Sequence, residues 1–129
     1  MRLSRRAGYA VAALALIAIG LLTRWPAIAW PAGVAKYLGS ALWGAMVFCA
    51  VGVCWPRQSL VRIALAAFLV AAATEFSQLW HTEVLDAFRR TTIGVLLIGR
   101  YFAWGDIVAY AVGITIAGIV AKYSARNPN

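Results

Sequence analysis

Glu75 lies inside an apolar run, Leu60 to Trp80, that otherwise reads as membrane. A carboxylate in hydrocarbon costs about 3 kcal/mol or more, so it needs a partner and marks a functional site by default. Gln78 follows three residues later, which places both on one helical face, with Thr74 and Ser77 beside them. A second acid, Asp106, opens the last apolar run. Tyr110 and Gly113 follow it at spacings of four and three, on the same face. Arg89, Arg90 and Arg100 fall between the two runs, and Arg24 and Lys36 fall in an earlier loop. Arginine favours planar anions such as phosphate and carboxylate. The pattern predicts a polar pocket with acids at its floor and cations at its rim. Its ligand-binding residues would be Glu75, Gln78, Asp106 and Tyr110 below, and Lys36, Arg89, Arg90 and Arg100 above.

Each member also has a plainer reading. Asp106 after Gly105 suits a helix N-cap. Glu75 pairing with one of the three loop arginines would simply pin the loop to the bundle. Gln78 suits an interhelical hydrogen bond, and Arg89 and Arg90 suit snorkelling anchors. His81 reads as an interfacial residue, and Glu83 and Asp86 as solvated loop charges. A metal held by Glu75, His81, Asp86 and Asp106 would need a convergence that spacing does not show, so no metal is expected. The chain has no zinc motif, no nucleotide loop and no Ser or Cys elbow, and implies no cofactor.

The elements that must carry these residues are membrane helices. The chain has 129 residues, is 64% hydrophobic, and holds only four acids against twelve Lys and Arg. That is too apolar for an ordinary soluble domain. The net charge of +8 does not point to nucleic acid, because the basic residues form no run and sit at the ends of apolar segments. Four spans fit: Ala7 to Thr23, Tyr37 to Cys54, Leu60 to Trp80, and Asp106 to Tyr123. Each is close to the twenty or so residues a crossing helix needs. The alternation of a closed barrel is absent. The expected fold is an all-α membrane protein, one four-span domain over residues 1–129.

The N-terminal segment has the look of a signal peptide, with Arg2, Arg5 and Arg6 ahead of an apolar stretch and Ala27-Ile28-Ala29 after it. The apolar core is long, however, and Arg24, Trp25 and Pro26 intervene, so we read a retained first span. Arg2, Arg5, Arg6, Arg57, Arg62, Lys122 and Arg126 then fall on one side, and Arg24, Lys36, Arg89, Arg90 and Arg100 on the other. Seven against five places both termini in the cytoplasm of a bacterial inner membrane. Trp25, Trp30, Trp55, Trp80 and Trp104 lie at span ends, as an aromatic belt does, while Trp43 should pack against a helix or lipid.

The first outer loop, Arg24 to Lys36, is rich in Pro and Gly. The second, His81 to Gly105, is long enough to expect a function. Within it, Ile93 to Ile98 should lie in the interface or re-enter, and Leu85 to Arg90 should form one amphipathic turn. Lys36-Tyr37 with Gly39-Ser40 echoes Arg100-Tyr101 with Gly105-Asp106, which suggests a parallel repeat. Cys49 and Cys54 point to different helical faces and read as buried free thiols.

The segments Lys36 to Val47, Glu75-Phe76-Ser77-Gln78-Leu79, Arg89, and Phe102-Ala103-Trp104-Gly105-Asp106 with Tyr110 and Gly113 resemble domain of unknown function 2809. Its members are small bacterial membrane proteins, and the similarity covers nearly the whole chain. More distantly the chain resembles VanZ-like proteins, associated with glycopeptide resistance and cell-envelope phenotypes. Their Glu-x-x-Gln, loop Arg, and Asp, Asn and Gly pattern is met by Glu75, Gln78, Arg89 or Arg100, Asp106 and Gly113. Tyr110 stands at the Asn position and Ser40 where that family usually has Asp. The resemblance implies an envelope role and supplies no reaction.

Four functions follow. The leading expectation is binding of an anionic lipid or lipid-linked glycan head group in the outer leaflet. The second is a structural or assembly subunit, alone as a homo-oligomer or with a membrane-protein partner, using Gly39, Gly44, Gly113 and Gly118 for close helix contact. An outer-leaflet head-group-modifying enzyme with Glu75 as general base comes third. Transport comes last, because the polar residues cluster at one side only.

Overall fold

The computed structural model describes residues 4–25, 27–31, 33–94 and 104–126. Four long helices and one short one lie wholly within these residues, with no strand among them: α1 (Arg5–Thr23), α2 (Val34–Cys54), α3 (Leu60–Ser77), α4 (Glu83–Arg89) and α5 (Trp104–Arg126). The four long helices are long and apolar enough to cross a membrane.

Local chemistry sets the boundaries. Ser4 and Ser59 cap α1 and α3, their hydroxyls accepting from the amides of Ala7 at 3.1 Å and Arg62 at 3.3 Å. Thr82 does the same for α4, accepting from Leu85 at 3.1 Å. Gly33 precedes α2 at φ 84°, a left-handed conformation that glycine adopts without a Cβ penalty. That turn lets α2 begin at Val34, three residues ahead of the expected Tyr37.

α3 ends at Ser77 and not at the expected Trp80. The amides of Gln78, Leu79 and Trp80 reach back only three residues, to Glu75, Phe76 and Ser77, which tightens the chain out of the α-helix. The carbonyls of Ser77 and Trp80 then turn to Arg89.

α2 and α5 run parallel and form the centre. The interface is nearly backbone on backbone. A Cβ on Gly44 would come within 2.9 Å of the Tyr110 Cα, and one on Gly113 would collide with the Ala41 carbonyl. In lipid no hydrophobic drive holds helices together, so close packing and polar bonds carry the association. α3 packs against both. Its inner face is Ile63, Ala67, Ala71 and Glu75, one residue every four, all under 2% exposed. The small alanines bring α3 close, and Glu75 is the last rung of the ladder. Leu65 and Leu69 face outward from the opposite side.

α1 packs on α2 through Tyr9, Ala12, Ala13 and Leu16, and the Tyr9 ring sits edge-on to Phe48 and over Gly52. It buries no residue fully. Trp43 packs on Tyr110, ring centroids 5.0 Å apart, so it meets a helix as expected. Cys49 is buried, while Cys54 is exposed because α2 ends there, which corrects the expectation of two buried thiols.

Candidate functional site

Three helix ends meet beside α4: the start of α2, the end of α3 and the start of α5. Here the tyrosine hydroxyl of Tyr110 donates to Glu75 Oε2 at 2.7 Å. The Ser40 hydroxyl donates to Asp106 Oδ1 at 2.9 Å and also lies against the Tyr110 hydroxyl. Glu75, Asp106 and Tyr110 are all buried, with Glu75 at 0% exposure. The two acids therefore face inward from α3 and α5 into one cluster, which Ser40 joins from α2. Gln78 is buried one step past the end of α3.

Arg89 is 3% exposed. Its Nη2 donates to the Ser77 carbonyl at 2.6 Å, and its Nη1 donates to the Trp80 carbonyl at 2.8 Å and to Asp86 Oδ1 at 3.2 Å. A helix leaves its last carbonyls without intrahelical partners and carries partial negative charge there. Arg89 supplies donors and positive charge at that point, so α4 is latched onto the end of α3. Asp86 also meets His81 Nδ1 at 3.2 Å. The hydrogen bond from His81, with further help from Arg89, holds the Asp86 carboxyl below the ordinary carboxylate range. Asp86 and His81 are thus paired rather than merely solvated.

Of the remaining expected residues, Arg90 is exposed at the end of α4. Lys36 is exposed in the first turn of α2, its amine 5.7 Å from the Tyr37 ring centre. Arg100 lies outside the described residues, as does the Val95 to Ile98 part of the proposed re-entrant stretch. The amphipathic turn expected over Leu85 to Arg90 is α4. Between α4 and the end of α3 lies an open cleft of about 620 Å³ lined by Ser77, Trp80, Thr82, Val84, Leu85 and Phe88. Among the described residues, no three His, Cys, Asp or Glu side chains converge as a metal ion requires.

Ser40 was not among the expected ligand-binding residues, although the resemblance to VanZ-like proteins placed it where those proteins usually have Asp. The repeat carried the signal: it pairs Gly39-Ser40 with Gly105-Asp106, and in the structure Ser40 and Asp106 bond to each other. The Arg89 contacts were also missed, because backbone carbonyls leave no trace in residue types.

Residues 29–114 match the model of the family described as Protein of unknown function (DUF2809), and the chain belongs to that family. The matched stretch holds the whole cluster and leaves α1 outside. No solved structure matches the chain.

Proposed function

We propose that the α4 end binds an anionic lipid or lipid-linked glycan head group. The observation that supports this most is the burial of Glu75 and Asp106 on neighbouring helices, each with a hydroxyl donor, at the same end of the bundle as the exposed cations Lys36 and Arg90. A carboxylate kept inside a membrane bundle is costly, and its usual justification is a ligand or ion path. Lys36 and Arg90, with Arg100 as a third candidate, supply charge for a phosphate. The apolar cleft beside α4 falls in the range of small-ligand sites, about 300–1,000 Å³, and suits the chain of such a lipid. In this reading Arg89 positions α4 and does not bind the ligand. The α4 end faces outward in a bacterial inner membrane, both termini are cytoplasmic, and the resemblance to VanZ-like proteins supports a cell-envelope role.

An assembly role is the second reading. α1 favours it, since α1 buries no residue within the chain and offers a long apolar flank to a partner. Gly44 and Gly113 no longer support it, because both are occupied in the α2–α5 contact.

Native mass spectrometry of gently extracted protein tests the binding reading. It predicts a retained anionic or lipid-linked adduct that is lost in a Lys36→Gln/Arg90→Gln variant. An adduct pattern unchanged by that variant contradicts it, and a fixed protein partner in its place supports the second reading.

A further inference from the structure

The opposite end of the bundle is electrostatically distinct. The chain has four acids, Glu75, Glu83, Asp86 and Asp106, and every one of them lies at the α4 end. At the far end Arg5, Arg6, Arg57, Arg62 and Lys122 are all exposed, with no acidic side chain near to balance them.

Three of these arginines border one junction. The Arg6 Nε donates to the Val53 carbonyl at 3.0 Å, which seats the base of its guanidinium on the last turn of α2. Both Arg6 terminal nitrogens are left without a partner among the described residues. Arg57 lies in the turn that follows α2. Arg62 lies in the first turn of α3, its Nη1 donating to Gln58 Oε1 at 3.3 Å. Trp55, 57% exposed, stands in the same turn, an aromatic side chain of the kind that seats at the head-group level.

A guanidinium fixed at Nε presents its remaining N–H groups as a fork, the geometry that suits phosphate oxygens. We propose that Arg6, Arg57 and Arg62 form a binding surface for the phosphate of an anionic phospholipid, at the end of the molecule away from α4. The occupant is a lipid because the arginines and Trp55 ring the ends of membrane-spanning helices, where leaflet phosphates are the available anions. Positive charge near a leaflet contributes roughly fivefold in lipid affinity per basic residue. Loop charge that only directs insertion would not discriminate head groups once the protein is in place.

The test is competition between phosphatidylglycerol and phosphatidylcholine for the full-length protein, read by native mass spectrometry after extraction from vesicles holding both. The surface predicts preferential retention of phosphatidylglycerol on the order of a hundredfold. An Arg6→Gln/Arg57→Gln/Arg62→Gln variant should bring retention close to parity, and the single Arg57→Gln variant should lower it roughly fivefold. All three side chains are exposed, so folding should persist, with circular dichroism as the check. Equal retention of the two lipids by the unaltered protein overturns the proposal. So does a preference that survives the triple substitution, or one that millimolar inorganic phosphate abolishes. A preference lost in Lys36→Gln/Arg90→Gln but kept in the triple variant moves the lipid to the α4 end, which overturns this proposal and supports the earlier one.

Discussion

The two ends of this bundle use charge in opposite ways. At the α4 end, acids and an arginine are drawn inside and bonded, Glu75 to Tyr110, Asp106 to Ser40, and Arg89 to the carbonyls of Ser77 and Trp80. At the other end, five described cations stay at the surface. Buried polar groups have fixed geometry and a high cost of removal, while exposed ones have little of either. The first end is therefore built for a defined constellation, and the second for attraction to a surface.

The sharpest way to break the comparison lies between the ends, where α2 meets α5. Gly113→Val would drive a side chain into the Ala41 carbonyl. A loss of about 3 kcal/mol or more is expected, read as failure to recover monodisperse protein or as a large fall in thermal midpoint. Next in size is Arg89→Met, which strips the end of α3 of its donors. We expect a loss of about 2–3 kcal/mol, with faster amide exchange in α4, and poor rescue by Arg89→Lys because one ammonium cannot reproduce the guanidinium fork. Tyr110→Phe removes one donor from Glu75 and should cost about 1 kcal/mol, in the range of measured interhelical hydrogen bonds in membranes. Arg57→Gln at the far end should change stability in zwitterionic detergent by less than about 0.5 kcal/mol.

The smallest effect depends on pH. Asp86 has a depressed carboxyl pKa in the folded state, so its stabilising contribution is present above the ordinary Asp value of 3.8 and is lost as pH falls through the folded value. Amide exchange in α4 should therefore quicken below about pH 4, and Asp86→Asn should remove that pH dependence while leaving α2 and α5 unaffected.

The four spans were legible because membrane helices announce themselves by length and hydropathy alone, and α4 was legible from the amphipathic turn over Leu85 to Arg90. Helix ends were less so. α2 starts early because of one positive-φ glycine, and α3 stops early because the amides of Gln78, Leu79 and Trp80 bond three residues back, with Arg89, twelve residues past Ser77, adding a donor to its carbonyl. The acids were legible too, since Glu75 and Asp106 stand out against an apolar background. Their partners were harder to read. Tyr110 was placed on the right face by spacing, but Ser40 carries no such contrast in a helix, and only the faint repeat and the family resemblance set it beside Asp106. Lys36 and Arg90 are exposed at this end, whereas Arg89, expected beside them at the rim, is buried against the end of α3, because sequence gives the end of a bundle more readily than depth within it.

The most direct measurement is a double-mutant cycle on Glu75→Met and Tyr110→Phe, with reversible unfolding followed in mild detergent. An inward-facing Glu75 bonded to Tyr110 across α3 and α5 predicts a coupling energy of about 1 kcal/mol. Substitutions that add within about 0.3 kcal/mol would contradict it and leave Glu75 without its place in the cluster.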